Sequence, residues 1–253
     1  MSAVRYQVKD HLASIVLNRP DKMNAINAEM RQELMDAFAD VRDNDEVWLA
    51  ILTGEGKAFC AGRDLVERVD KGDHIPGPTT ADIYTLQSQT YKPIIAAVNG
   101  VCMAQGCGLA LSSDILIAAE SARFGWPQVK RGISSISGPT LLARLVPHNL
   151  AMEYLFTGEP MDSATALRLG IINRVVPDGD ALSAAEDLAA AILKNAPLAV
   201  RAMKEATLKT RHLRADDAYL AARFLLEQVD ASEDSREGLL AFKEKRAPVW
   251  QAR

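Results

Sequence analysis

The sequence predicts a layered α/β fold with much parallel strand pairing, followed by an all-helical C-terminal quarter. Three observations carry this. Apolar runs rich in branched residues, each ended by turn residues, recur through the first half of the 253-residue chain. Helical patterns sit between them, and β and α units in alternation build a parallel sheet covered by helices. After Pro177 the segments become Ala/Leu-rich with helical spacing.

In chain order, His11–Asn18 (HLASIVLN) and Trp48–Thr53 (WLAILT) read as strands, as do Pro93–Asn99 (PIIAAVN) and Ile115–Ala119 (ILIAA). The later three are almost continuously apolar, which suits strands buried on both faces. Asn27–Val41 carries Met30, Leu34, Phe38 and Val41 at helical spacing, with Asn27 as N-cap. A second helix is expected over Ala81–Gln89 and a third from near Gly106. Asp162 is placed to cap a short helix ending at Gly170, before a last strand at Ile171–Val176. Four helices follow, Ala181–Lys194, Pro197–Arg211, Asp216–Val229 and Ser235–Lys245. The division expected is a core over residues 1–195 and a helical segment over 196–253. Gly72–Pro78 (GDHIPGP) is the most loop-like stretch and the expected mobile loop.

Composition narrows the function classes. Hydrophobic residues make up 48% and charged residues 25% of the chain, which excludes disordered and fibrous classes. A net charge of −4 and a pI near 5.6 argue against a general nucleic-acid binder. The basic stretch Arg201–Arg214 is the only support for RNA binding, and a solvated helix face explains it equally well. No run of apolar residues is long enough to span a bilayer. The first ten residues have neither a signal core nor transit-peptide character, so cytoplasm is the expected location. Cys60, Cys102 and Cys107 read as buried, reduced thiols. With the four histidines scattered, no metal site is expected.

Several motifs fail on inspection. Gly54–Gly62 (GEGKAFCAG) lacks Walker spacing, and Phe59 stands where a dinucleotide fingerprint needs its third glycine. Gly132–Gly138 (GISSISG) holds serines but no nucleophile elbow. Two segments do carry chemistry. Phe59–Leu65 (FCAGRDL) and Asn99–Leu109 (NGVCMAQGCGL) each follow an apolar strand with a glycine-bearing turn. Such turns leave backbone N–H groups pointing outward, and two side by side make an oxyanion hole. Either one alone is more simply a tight turn.

Together these segments resemble the crotonase (enoyl-CoA hydratase/isomerase) superfamily. The resemblance rests on L-N-R-P-x-K-x-N-A at Leu17–Ala25, G-x-G-K-A-F-C-A-G-x-D-L at Gly54–Leu65 and A-A-V-N-G at Ala96–Gly100. S-D-I-L-I-A at Ser113–Ala118, A-R-F-G at Ala122–Gly125 and the ending F-K-E-K-R-A-P-V-W at Phe242–Trp250 extend it over nearly the whole chain. It implies a spiral of ββα units with a helical C-terminal trimerisation segment, a homotrimer or dimer of trimers, and an acyl-CoA substrate. Coenzyme A would enter as part of that substrate, with no permanently bound cofactor.

The same resemblance implies that the oxyanion donors are the backbone N–H groups of Arg63 and Gln105. It places Lys22, Met23, Ala61, Gly62 and Asp64 along the CoA moiety, with Gly106 beside Gln105. Phe242 and Lys245 would approach CoA from a neighbouring subunit. The departures matter as much. The two glutamates of family hydratases match Gly108 and Gln128 here, and an aspartate used by some relatives falls near Ile136. Adding water needs one acid to activate it and another to protonate the α-carbon, so two-glutamate hydration is not expected. Gln128 retains the capacity to orient water or a carbonyl. Gly108 reads equally as close helix packing or as room for a larger acyl group. The Arg63 guanidinium offers a clamp for a substrate carboxylate, although a solvated or Asp-paired arginine is the simpler reading.

Asp82, Tyr84 and His74 are the weak candidates for a general base. Ser134, Ser135 and Ser137 are expected to supply hydrogen bonds, Asp64 to cap the following helix, and Asp114 to be structural. The expectation is therefore an acyl-CoA lyase or isomerase of this family. The alternative is a non-catalytic CoA-binding or scaffold protein with the same fold.

Overall fold

A computed structural model describes residues 2–71 and 76–253 of the chain. The loop expected at Gly72–Pro78 falls mostly on residues outside that set, and so does His74. β1 (Val4–Lys9) and β2 (Leu12–Leu17) form an antiparallel hairpin. The alternating β1 adds a strand that the sequence reading passed over.

α1 (Ala28–Asp43) starts at Asn27, whose side chain accepts a hydrogen bond from the Met30 amide as expected. β3 (Leu49–Gly54) leads into β4 (Ala58–Cys60), α2 (Leu65–Lys71) and α3 (Thr80–Gln89). β5 (Ile94–Val98), β6 (Val101–Met103) and α4 (Gln105–Leu111) repeat the ββα pattern. β7 (Ile115–Ala119) and β8 (Arg123–Gly125) run on into a 3-10 helix at Pro127–Arg131.

A π-type turn at Gly138–Leu142 passes into α5 (Ala143–Leu145) and α6 (His148–Thr157). β9 (Met161–Asp162) precedes α7 (Ser163–Arg168), where Asp162 caps the helix by accepting from the Thr165 amide, as the sequence suggests. The last strand, β10 (Arg174–Val176), starts later than expected. Ile171 donates its amide to Ala166 across Gly170, which sits at φ 72°, so this stretch closes the helix rather than extending the strand.

Each ββα pass places one strand in each of two sheets. The larger sheet runs β1-β2-β3-β5-β7-β10 and is parallel from β2 onward; the smaller runs β4-β6-β8-β9. The continuous apolar runs are explained by packing on both faces. Ala50, Leu52, Ala96 and Val98 join the main core, whereas Leu49, Ile51, Ile95 and Ala97 meet Ala181, Ala185 and Ala189 of α8 (Ala181–Leu193).

Beyond α8 come α9 (Pro197–Thr210), α10 (Ala215–Asp230) and α11 (Glu233–Glu244). α9 is tied to the sheet by Lys204, which donates to Asp114 (2.6 Å) and to the Lys92 carbonyl (3.0 Å). Asp114 also accepts from the Ile94 amide at 2.7 Å, so its role is structural as expected. α10 buries none of its residues, and no helix among the described residues is long and apolar enough to cross a membrane.

Candidate active site

A cleft of about 460 Å³ opens where the two glycine-bearing turns meet α3 and the segment after β8. Arg63, Gln105, Gln128, Tyr84, Met23 and Ala61 all line it. The turns are brought together by missing side chains. A Cβ built on Gly62 would stand 2.8 Å from Ala104 Cβ and 3.4 Å from the Gln105 nitrogen, and one on Gly106 would meet Cys60 Cβ at 2.7 Å. Real side chains at either position would push the turns apart. Gly62 also sits at φ 97°, a torsion that favours glycine.

The main chain around Arg63 is fixed by a parallel bridge to Ile26. The Ile26 amide donates to the Gly62 carbonyl (2.7 Å) and the Asp64 amide donates to the Ile26 carbonyl (2.9 Å). In that geometry the N–H of Arg63 is turned away from Ile26. Gln105 is the first residue of α4, so its amide has no partner within the helix. The preceding Ala104 sits at φ 53° and ψ −113°, a strained conformation for a residue with a Cβ.

Tyr84 decides what the glycine at 108 means. A Cβ on Gly108 would overlap Cζ and Oη of Tyr84, whose hydroxyl donates to the Gln105 carbonyl at 2.9 Å. The space beside position 108 is therefore filled by a phenol from α3, which favours close helix packing as the reason for Gly108. Burial holds the Tyr84 pKa well above its ordinary value, with Cys60, Cys107 and Cys102 adding to the rise and Ser137 opposing it. Tyr84 is thus a protonated donor rather than a base.

Gln128 lies in the 3-10 helix, and its Oε1 is buried without a hydrogen-bond partner, as is Oε1 of Gln105. Two acceptors in one cleft are ready for donors that a ligand or water brings. The titratable residues lining the cleft, among those described, are Tyr84, Arg63, Arg68 and Arg131. Among the described residues the lining thus includes three arginines, of which Arg63 and Arg68 have interaction partners of their own. Sequence reasoning missed Arg68 and Arg131; the spacing of Arg131, three residues after Gln128, was the available signal.

The other expected positions separate into those at the cleft and those beside it. Met23 and Ala61 line it, and the Ala61 amide donates to the Met23 carbonyl at 2.9 Å. Lys22 is exposed in a 3-10 turn next to Met23. Asp64 is committed elsewhere: it accepts from the Val66 and Glu67 amides at the start of α2 and pairs with Arg19 at 3.0 Å. Burial raises its carboxyl, but the Glu67 amide, Arg19 and the Val66 amide outweigh that and hold it below the ordinary value. Asp64 is therefore a helix cap, as one expectation had it, and does not face the cleft.

Asp82 is corrected as a base candidate. It accepts from the amide and hydroxyl of Thr79 in a capping box, and it is absent from the cleft lining. Ser137 and Ser135 supply hydrogen bonds as expected, Ser135 by accepting from the Gly138 amide at 3.2 Å. Ile136 lines the cleft with its apolar side chain. Phe242 (86% exposed) and Lys245, at φ 55° after α11, lie on the exposed C-terminal segment. All three cysteines are buried and free, and burial pushes the Cys60 thiol up to about 12.

Residues 7–253 match the family model for enoyl-CoA hydratase/isomerase. The chain is 36% identical over 252 residues to an enoyl-CoA hydratase of Mycobacterium tuberculosis, covering 97% of this chain and 95% of the relative. It is 39% identical over 254 residues to a carnitinyl-CoA dehydratase of Salmonella typhi, covering 96% and 95%. A crystal structure of an enoyl-CoA hydratase from Mycobacterium tuberculosis H37Rv superposes with a TM-score of 0.93 at 35% identity, covering 100% of both chains.

Proposed function

We propose that this chain, which belongs to the enoyl-CoA hydratase/isomerase family, stabilises an enolate or oxyanion of an acyl-CoA thioester with the amides of Arg63 and Gln105. The observation that carries this is the close approach of the two turns, Gly62 against Ala104 and Gly106 against Cys60, on one wall of the cleft. Isomerisation, decarboxylation, thioester hydrolysis and unconventional hydration all place negative charge on the thioester oxygen. Donors fixed in advance lower the energy of that state without reorganising.

Two-glutamate hydration is not the route. Gly108 offers no acid and its space is taken, while Gln128 supplies an amide that orients a substrate group or water but exchanges no proton usefully. Coenzyme A arrives with the substrate, and Met23 and Ala61 stand where its pantetheine arm would pass.

Replacing Gln105 by proline tests the reading. Proline deletes the amide donor together with the Gln105 side chain, so Gln105→Ala, which keeps the N–H, is the control that separates the two losses. Turnover of the preferred acyl-CoA should fall about 10²–10³-fold with an unchanged circular dichroism spectrum. Turnover that stays within threefold of wild type in a folded variant would sink the assignment.

A further inference from the structure

We propose that Ser137 and Tyr84 are positioning residues that together hold the Gln105 main chain in donor geometry, and that the glycine at 108 serves to admit the tyrosine. This rests on the reading of the Gln105 amide as an oxyanion donor. The need for such a device is visible in the backbone. Ala104 adopts φ 53° and ψ −113°, a conformation costing about 1–3 kcal/mol for a residue with a side chain. Relaxation of that strain rotates the Ala104–Gln105 peptide and swings its N–H out of the cleft.

Two side-chain hydrogen bonds oppose the rotation. The carbonyl of the same peptide, Ala104 O, accepts from Ser137 Oγ at 3.2 Å. Ser137 is itself 3% exposed, and its Oγ accepts from Nε1 of the fully buried Trp126 at 3.0 Å, which leaves its proton for Ala104 O or the neighbouring Tyr84 phenol. Since the C=O and N–H of one peptide are rigidly coupled, pinning the oxygen aims the nitrogen. On the other side of Gln105, its own carbonyl accepts from Tyr84 Oη at 2.9 Å.

The phenol reaches that carbonyl only because position 108 has no Cβ. A glycine inside a helix costs about 1 kcal/mol against alanine, and here it yields a brace on the donor. The Ser137 bond also polarises the peptide that carries the Gln105 N–H, strengthening that donor by about 10–30%, whereas the Tyr84 bond meets the next peptide and acts by holding Gln105 in place.

The test follows the carbonyl stretch of butanoyl-CoA labelled with ¹³C at the thioester carbon, by infrared difference spectroscopy on the full-length protein. Wild type should show a downshift on binding, the signature of hydrogen bonds to the thioester oxygen. Ser137→Ala should shrink that downshift by about 10–30%, Tyr84→Phe should shrink it by freeing Gln105 to turn, and each should lower kcat about 10- to 100-fold, with KM within threefold. A merely structural role would leave the downshift of folded protein unchanged. Tyr84→Phe is nearly isosteric, so it decides the matter if Ser137→Ala fails to fold. A wild-type downshift retained in full by Tyr84→Phe and by any folded Ser137→Ala overturns this inference and leaves the oxyanion reading standing. No downshift in wild type overturns both.

Discussion

Restoring a glutamate at position 108 should damage the fold rather than create a hydratase. The Cβ of Gly108→Glu would overlap Cζ and Oη of Tyr84, so the phenol has to leave its site. Its hydrogen bond to the Gln105 carbonyl goes with it, worth about 0.5–1.5 kcal/mol net. Forcing extra atoms into this packed α3–α4 contact adds about 1–3 kcal/mol. Together these give a loss of about 2–4 kcal/mol, out of a total stability of about 5–15 kcal/mol. At about 2–4 °C per kcal/mol for a chain of this size, Tm should drop by about 4–16 °C. Scanning calorimetry of Gly108→Glu, Tyr84→Ala and the double variant measures both the loss and the coupling. The double variant should be less destabilised than the sum of the singles, because removing the ring removes the clash. A Gly108→Glu protein with wild-type Tm, or strict additivity, would refute the packing argument.

Other expectations follow from the same geometry. Wild-type protein should hydrate short straight-chain enoyl-CoAs more slowly than about 10 per second, a median enzyme rate, measured by loss of enoyl absorbance; faster hydration would show that the missing acids are replaced. Asp64 has a folded pKa below its unfolded value, so its contribution is present above about pH 4 and lost as pH falls below that through the folded value. Asp64→Asn should therefore be less stable than wild type at pH 7, with the gap narrowing in acid, as read by urea melts across pH 2–7. On α10, Leu220 (72% exposed) and Phe224 (68% exposed) form part of an apolar face that the chain itself leaves uncovered. If the chain forms the trimer or dimer of trimers that the family resemblance implies, Leu220→Glu with Phe224→Glu should lower its mass in sedimentation, and an unchanged mass would remove that face from the interface.

How much was legible depended on how long each signal ran. β3, β5 and β7 announced themselves through continuous apolar runs because a core packs on each face of the sheet. The C-terminal helices were read to within a few residues for a similar reason, each holding its pattern for three turns or more. β4 and β6 hid inside segments read as turn-rich, and β8 and β9 were passed over, because strands of two or three residues carry no periodicity. The mostly apolar α6 was passed over too, and α2 was expected only as the helix that Asp64 caps. At the site, the turns around Arg63 and Gln105 were visible as glycine-bearing motifs. The meaning of Gly108 was not, because Tyr84 meets it from another helix, a contact that local spacing does not encode. Asp82 shows the converse error: an acid at a lid helix suggests chemistry, yet Thr79 three residues earlier marks it as a capping partner.

A crystal structure with a bound, unreactive acyl-CoA thioether bearing the acyl carbonyl tests the central claim most directly. That carbonyl oxygen should lie within about 2.7–3.1 Å of the nitrogens of both Arg63 and Gln105, with Tyr84 still on the Gln105 carbonyl. A carbonyl oxygen lying away from both nitrogens, or either nitrogen donating to another protein atom in the complex, would contradict it.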